Sequence, residues 1–110
     1  MPINYNKYYF TDPAQLVRWK ASNYAGIYAI LIPDKFCKPL SYRVVYFDET
    51  ENFAKCGIDE THSKYSCWMT SALKKSNIYI SVHYMRDSTA EQRQAVVSAL
   101  IQKCQPSCNF

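Results

Sequence analysis

The chain has 110 residues, a net charge of +4 and a sequence pI near 8.8. This length suits one domain with a single modest core, and a content of 48% hydrophobic residues with only 2 glycines excludes a disordered chain. No apolar run approaches the roughly 18 residues of a membrane-spanning helix. The small positive charge permits a polyanionic partner without requiring one. We therefore expect a single domain over residues 1–110 that stays out of the membrane.

The first half of the chain predicts one helix and two strands. The sequence Thr-Asp-Pro at residues 11–13 is typical of a helix start, and that helix would extend to about residue 20. Residues 26–32 are rich in β-forming side chains and predict the first strand. A loop over residues 34–41 leads to a second strand at residues 42–49. Strict alternation along this strand would direct its even-numbered side chains to one face and its odd-numbered side chains to the other.

The second half of the chain predicts two short helices, a third strand and a final helix. Residues 52–58 and 65–75 have helical patterns, and residues 78–85 alternate like a strand. Ser88 and Glu91 form a capping-box pattern at the start of the last helix. The apolar stripe of that helix consists of Val97, Leu100, Ile101 and Cys104.

The order of these elements predicts an α+β fold. A short loop joins the first two strands, which favours an antiparallel pair. The third strand extends this pair, and the helices need an apolar sheet surface on which to pack. We therefore expect a small three-stranded antiparallel sheet flanked by helices.

The cysteines indicate neither a zinc site nor a disulfide framework. There are five, at positions 37, 56, 67, 104 and 108, and no two of them form a Cys-x2-Cys pair. Structural zinc sites are usually built from such close pairs, so we predict no metal site from the cysteines. The N-terminus lacks the basic segment and following apolar stretch of a secretory signal. We therefore expect a cytoplasmic protein with free thiols.

Several separated motifs are more specific than the composition. They are Gly-Ile-Tyr at residues 26–28, Tyr-Phe-Asp-Glu-Thr at residues 46–50 and His-Ser-Lys-Tyr-Ser-Cys-Trp at residues 62–68. The C-terminal part adds Leu-Ile at residues 100–101 and a Pro-x-x-Asn pattern at residues 106–109. In this order the motifs resemble the GIY-YIG nuclease superfamily, and within it a subgroup of bacterial proteins. The resemblance covers about residues 24–109 of the chain.

The resemblance implies an α+β fold and a site that hydrolyses phosphodiesters with one divalent metal ion, Mg²⁺ or Mn²⁺. Tyr28 and Tyr46 stand at the positions of the two motif tyrosines, which line the family's active site and of which one helps to activate the attacking water. The family's phosphate-clamping arginine would fall at Cys56, and its metal-binding glutamate would fall at Val97. Asp48 replaces the glycine of the second motif.

These three replacements remove groups that the hydrolysis needs. A thiol cannot make the bidentate phosphate contact of an arginine. Val97 has no lone pair for a metal ion, and Asp48 adds a negative charge that repels phosphate. We therefore predict that the domain holds no metal, has lost nuclease activity and serves as a binding module for nucleic acid, DNA in particular, or for another protein. The alternative is an active endonuclease that depends on Mg²⁺ or Mn²⁺ and has a rearranged site.

The sequence leaves two interpretations of His62 open. This residue is a candidate general base beside the two tyrosines, or it belongs to a packing cluster with Tyr65 and Trp68, which follow at three-residue spacing. The side chains that we assign to nucleic-acid contacts are Lys55, Lys64, Lys74, Lys75 and Asn109.

Overall fold

The computed structural model describes residues 3–5, 7–36 and 41–110, and the chain has an α+β fold, as predicted. Within these ranges there are six strands and two α-helices. The strands are β1 (Ile3–Tyr5), β2 (Tyr8–Phe10), β3 (Ala14–Gln15), β4 (Gly26–Pro33), β5 (Tyr42–Thr50) and β6 (Tyr79–Tyr84). The helices are α1 (Tyr65–Ala72) and α2 (Ala90–Cys104).

The strands form two antiparallel sheets and not the single three-stranded sheet that we predicted. The larger sheet has four strands in the order β3-β6-β4-β5, and β1 pairs with β2 in a separate hairpin. The three long strands are those predicted from the sequence, and β4 lies between the other two. Because β4 is covered on both faces, its residues from Gly26 to Ile32 are all buried.

The predicted helix over residues 11–20 is wrong. Ala14 and Gln15 pair with the edge of β6, and a single 3₁₀ turn follows at Leu16–Arg18. Thr11 does not cap a helix, because its backbone N–H donates to the Val82 carbonyl oxygen at 2.8 Å and its hydroxyl accepts from the Val82 N–H at 3.1 Å. The sheet edge therefore supplies the hydrogen bonds that a helix would otherwise have made.

A bulge in β5 interrupts the predicted alternation. Ile30 pairs with Tyr46 and Leu31 pairs with Val44, so Val45 has no partner residue on β4. As a result Val45 and Tyr46 pack in the same core cluster, and the even–odd prediction is wrong on the N-terminal side of the bulge. The alternation does hold beyond the bulge, where Tyr46 and the following residue belong to different clusters.

The two faces of the larger sheet support separate core clusters. The face that carries Tyr28 and Tyr46, which we call the tyrosine face, packs against α1, the 3₁₀ turn Phe53–Lys55 and Cys108 near the C-terminus. The opposite face, which we call the α2 face, packs against α2. The apolar stripe predicted for the last helix is confirmed, because all four members lie in or against the α2-face cluster: Val97, Leu100, Ile101 and Cys104.

The helix ends differ from the prediction by a few residues. Thr89, and not Ser88, is the N-cap of α2, and its capping-box partner is Gln92 in place of Glu91. The predicted helix over residues 65–75 ends at Ala72, where the next residue takes a left-handed conformation. The predicted helix over residues 52–58 is only a 3₁₀ turn.

A disulfide joins Cys67 on α1 to Cys108, so the prediction of free thiols is wrong for this pair. The two cysteines are 41 residues apart in sequence, and only the fold brings them together. Cys56 and Cys104 are free, and Cys37 lies outside the described residues. Across the described ranges, no helix has both the length and the apolar character needed to cross a bilayer.

Candidate functional site

Tyr28 and Tyr46 lie on neighbouring strands and on the same face of the sheet. Tyr28 pairs with Asp48 across β4 and β5, and Tyr46 pairs with Ile30, so the two tyrosines are diagonal neighbours. Their ring centroids are 6.1 Å apart. Both side chains are buried, with exposed fractions of 1% for Tyr28 and 6% for Tyr46. The tyrosines therefore form the floor of the candidate site, beneath residues that are closer to solvent.

Packing explains the glycine of the first motif. A Cβ atom on Gly26 would lie 2.2 Å from the carbonyl oxygen of His83 and 2.9 Å from Cζ of Phe53. The first contact is with the backbone of the adjacent strand β6, which cannot move aside without breaking the sheet. Gly26 therefore allows the strand that carries Tyr28 to lie close to β6 and beneath the Phe53 ring.

His62 joins the tyrosines from the segment before α1. Its Nε2 atom is 2.9 Å from the Tyr28 hydroxyl, and its Nδ1 atom accepts from the Lys64 backbone N–H at 3.0 Å. Because Nδ1 is an acceptor, the neutral ring carries its proton on Nε2 and donates it toward Tyr28. Burial is the main cause that lowers the pKa of His62, and the positive charge of Lys64 lowers it further. The carboxylates of Asp48 and Asp59 raise the pKa but do not outweigh burial. The imidazole is therefore neutral near pH 7, and its unprotonated nitrogen, Nδ1, already accepts a hydrogen bond.

The two interpretations of His62 describe one arrangement. The imidazole lies over Trp68 with ring centroids 4.6 Å apart, and Tyr65 meets Trp68 edge-on with ring centroids 6.0 Å apart. His62 thus belongs to the packing cluster expected from the three-residue spacing, and the same packing presents its Nε2 to Tyr28.

Asp48 interacts with the protein itself through both carboxylate oxygens. Oδ2 accepts a hydrogen bond from the Tyr46 hydroxyl at 2.8 Å, and Oδ1 accepts from the Glu49 backbone N–H at 2.8 Å. Burial, followed by the hydrogen bond to Asp48, raises the pKa of Tyr46 above its ordinary value. Burial and then the charge of Asp48 raise the pKa of Tyr28. Both phenols therefore stay protonated at neutral pH; the Tyr46 hydroxyl donates to Asp48, whereas the Tyr28 hydroxyl accepts from His62.

The positions that the resemblance gives to the arginine and the glutamate separate in the structure. Cys56 is half-buried beside the cluster, with its Sγ atom 4.0 Å from the Tyr28 hydroxyl oxygen. Val97 is buried on the α2 face, on the other side of the sheet from Tyr28 and Tyr46. A glutamate at position 97 would therefore not reach the two tyrosines.

The residues around the tyrosines do not fit a divalent metal ion. In the part of the chain that the structure describes, no group of three or more His, Cys, Asp and Glu side chains comes together at ligand spacing. Glu49, the residue adjacent to Asp48, points to the α2 face, where it contacts Arg93 at 2.7 Å. A metal-ion step is therefore not part of the chemistry that we derive for this site.

The residues predicted for nucleic-acid contacts fall into three places. Lys55 and Lys64 are next to Cys56 and His62, so they flank the tyrosine cluster. Lys74 and Lys75 follow the other end of α1, and Lys75 pairs with Glu60 at 3.5 Å. The Asn109 side chain accepts a hydrogen bond from the Phe47 backbone N–H through Oδ1 and donates one to the Phe47 carbonyl oxygen through Nδ2, both at 2.9 Å. These bonds complete the edge of β5.

The sequence did not reveal the role of Arg93. Its side chain is 4% exposed, and its Nη1 atom also donates to the Ser88 carbonyl oxygen at 2.7 Å. The capping pattern gave no sign of the ion pair between Arg93 and Glu49, because Glu49 is 44 residues away in the sequence. Arg93 anchors α2 to β5 and lies on the face opposite the tyrosines.

In comparisons with known proteins, no family model, no curated protein and no solved structure matches this chain.

Proposed function

We propose that this chain is a GIY-YIG-like domain that binds nucleic acid beside its tyrosine cluster and does not hydrolyse it. One observation carries the proposal. Tyr28, Tyr46 and His62 lie together, yet His62 Nδ1 and both Asp48 oxygens already accept hydrogen bonds from the protein itself. The proposal combines the motif resemblance with this geometry.

Hydrolysis requires a group that can take a proton from water. The Nδ1 atom of His62 is bonded to the Lys64 N–H, and the two oxygens of Asp48 are bonded to Tyr46 and to a backbone N–H. The tyrosines are protonated because their pKa values are raised. This arrangement favours binding over catalysis, because His62 Nδ1 and both Asp48 oxygens already accept hydrogen bonds within the protein and the phenols are buried.

Binding to a phosphate backbone requires cations at the rim of the site. Lys55 is exposed and follows the turn over Phe53, whereas Lys64 is half-buried and leads into α1. The two lysines lie on either side of the segment that brings Cys56 and His62 to Tyr28. We assign them to two phosphate contacts, which position the strand without specifying its sequence.

The test is fluorescence anisotropy with labelled single-stranded and duplex DNA over a range of salt concentrations. The double variant Lys55→Ala/Lys64→Ala should bind more weakly, and its log–log salt slope for single strands should fall by about 1.4, the value for two lost phosphate contacts. The matched control is Lys35→Ala/Lys103→Ala, which removes two exposed lysines elsewhere and should leave the slope unchanged. Equal slopes for the two double variants would contradict the proposed site.

A second assay separates binding from cleavage. Supercoiled plasmid incubated with the protein and Mg²⁺ or Mn²⁺ should remain intact, with Tyr46→Phe as the comparison variant. Metal-dependent nicking that Tyr46→Phe abolishes would establish the alternative, an active nuclease with a rearranged site. Absence of binding to every DNA probe would instead favour a protein partner.

A further inference from the structure

A cleft that the tyrosine cluster does not use opens where β4 begins and β6 ends. Its volume is about 360 Å³, and its lining consists of Asn23, Tyr24, Ala25, Glu51, Arg86 and Asp87. Volumes in this range are typical of small-ligand sites. The cleft lies close to the candidate site in the sheet, because Gly26, two residues before Tyr28, pairs with both Thr50 and Tyr84.

The cleft contains a preformed stacking platform. The Arg86 guanidinium carbon lies 3.9 Å from the centroid of the Tyr24 ring. Tyr84 meets Tyr24 edge-on at 5.9 Å and is itself held by Phe53 at 5.8 Å. Tyr24 and Tyr84 nevertheless remain 42% and 44% exposed. A guanidinium plane supported by a tyrosine is a surface on which an unpaired nucleobase stacks.

The rim of the cleft selects for hydrogen-bond donors. Glu51 and Asp87 are exposed and bring carboxylates, which accept hydrogen bonds but do not donate them when ionised. A simple ammonium ligand is a poor match, because the Arg86 guanidinium already lies over the Tyr24 ring and would repel a second cation. The cleft therefore suits a flat, neutral ring whose edge presents N–H groups.

Among the nucleobases, guanine meets this requirement best. Its pairing edge has two adjacent donors, N1–H and the N2 amino group, which match the two oxygens of a carboxylate. The pairing edges of adenine, cytosine and uracil or thymine have no two adjacent donors, so an acceptor on each would face the carboxylate. We propose that this cleft binds an unpaired guanine of a single-stranded nucleic acid. The base would stack on the Arg86 guanidinium, which Tyr24 supports, and donate hydrogen bonds to Glu51 or Asp87. This inference rests on the proposed function.

The test compares three labelled thymidine nonamers whose central residue is guanosine, inosine or thymidine. Inosine lacks only the 2-amino group, so it removes one of the two donors and keeps the ring. The native protein should bind the guanosine probe about tenfold more tightly than the inosine probe, the discrimination expected of a bidentate contact. Glu51→Gln or Asp87→Asn should abolish this preference, and Tyr24→Leu should weaken binding of the guanosine probe.

Glu91→Gln is the matched control, since Glu91 is an exposed carboxylate in the first turn of α2, and it should keep the native preference. The Asp87→Asn variant preserves the left-handed backbone at this position, because asparagine tolerates φ of 60°. Equal binding of the three probes, or a preference that survives both carboxylate variants, would overturn the guanine site alone. Absence of binding to all three would also overturn the guanine site, and absence of binding to duplex DNA as well would overturn the proposed function.

Discussion

On the α2 face a helix of 15 residues covers the sheet together with Tyr5, Tyr8 and Phe10 of the β1–β2 hairpin. On the tyrosine face a helix of 8 residues shares this task with a 3₁₀ turn and the C-terminal turn. The neighbouring carboxylates of β5 have correspondingly different surroundings. Glu49 points to the α2 face and forms an ion pair with the buried Arg93. Asp48 points to the tyrosine face, where it accepts hydrogen bonds from a phenol and a backbone N–H.

Both faces of the sheet bury apolar side chains, but the tyrosine face also buries polar aromatic groups. Apolar side chains make up the α2-face cluster, and its one buried charge is paired and hydrogen-bonded among the described residues. The tyrosine face buries phenol and indole groups, and the Trp68 Nε1 atom has no hydrogen-bond partner within the described part of the chain. We therefore expect the two faces to respond differently to substitution. Four predictions test this division.

The largest effect is expected on the α2 face. Arg93→Met should lower the free energy of unfolding by about 3–5 kcal/mol, because it leaves Glu49 without its partner in a largely buried position. Urea unfolding followed by circular dichroism measures the loss. Arg43→Met is the control, since Arg43 pairs with Asp34 at 3.4 Å on the surface, and its loss should stay below about 1 kcal/mol. Equal losses would mean that the buried pair does not anchor α2.

The disulfide should be the main covalent support of the tyrosine face. Cys67→Ala/Cys108→Ala should lower the free energy of unfolding by about 3–4 kcal/mol, because the bridge closes a loop between residues 41 positions apart. Urea unfolding with and without dithiothreitol checks this, and the reductant should have no effect on the double variant. Cys56→Ala/Cys104→Ala should keep the native response to the reductant, since both thiols are free. A native midpoint that dithiothreitol leaves unchanged would count against the bridge.

Close packing on the tyrosine face predicts different outcomes for the two glycines. Gly26→Ala should cost about 3 kcal/mol, because the new methyl group meets the His83 carbonyl oxygen and the Phe53 ring. Gly57→Ala should cost only about 1 kcal/mol, since a Cβ there would make an ordinary 3.6 Å contact with the Thr61 hydroxyl oxygen and only the φ of 72° is unfavourable for alanine. Thermal unfolding of the two variants gives the comparison. A larger loss for Gly57→Ala would contradict the close approach of β4 and β6.

The smallest effect concerns the pH dependence of the tyrosine face. The pKa of His62 is lowered from 6.5 in the folded protein, so the unfolded chain takes up this proton more readily. The contribution of His62 to stability is therefore present above pH 6.5 and lost as the pH falls through 6.5 toward the folded-state pKa.

Urea midpoints between pH 7.5 and pH 5 should accordingly fall less in His62→Gln than in the native protein. His83→Gln, which changes a histidine bonded to the Tyr9 carbonyl oxygen, should retain the native decline. A decline that is the same in the native protein and in His62→Gln would contradict a lowered pKa, because it would mean that His62 binds its proton equally well in the folded and unfolded states.

The sequence by itself determined the three long strands, the last helix and the class of the fold. Strands at residues 26–32, 42–49 and 78–85 are visible because period-2 alternation and β-branched content are local properties. The stripe on α2 is visible for the same reason, since residues three or four apart share one side of a helix. The tyrosines of the two motifs could likewise be assigned to adjacent strands, because a short connection favours an antiparallel pair.

Only the tertiary structure decided which distant residues meet. Residues 11–15 join a sheet edge and do not form a helix, because β6 offers hydrogen-bonding groups that no local pattern reveals. The Cys67–Cys108 and Glu49–Arg93 pairs span 41 and 44 residues, beyond the reach of any periodicity. Val97 was placed with Tyr28 by motif order alone, yet α2 packs on the opposite face because its apolar stripe matches the side chains that point there.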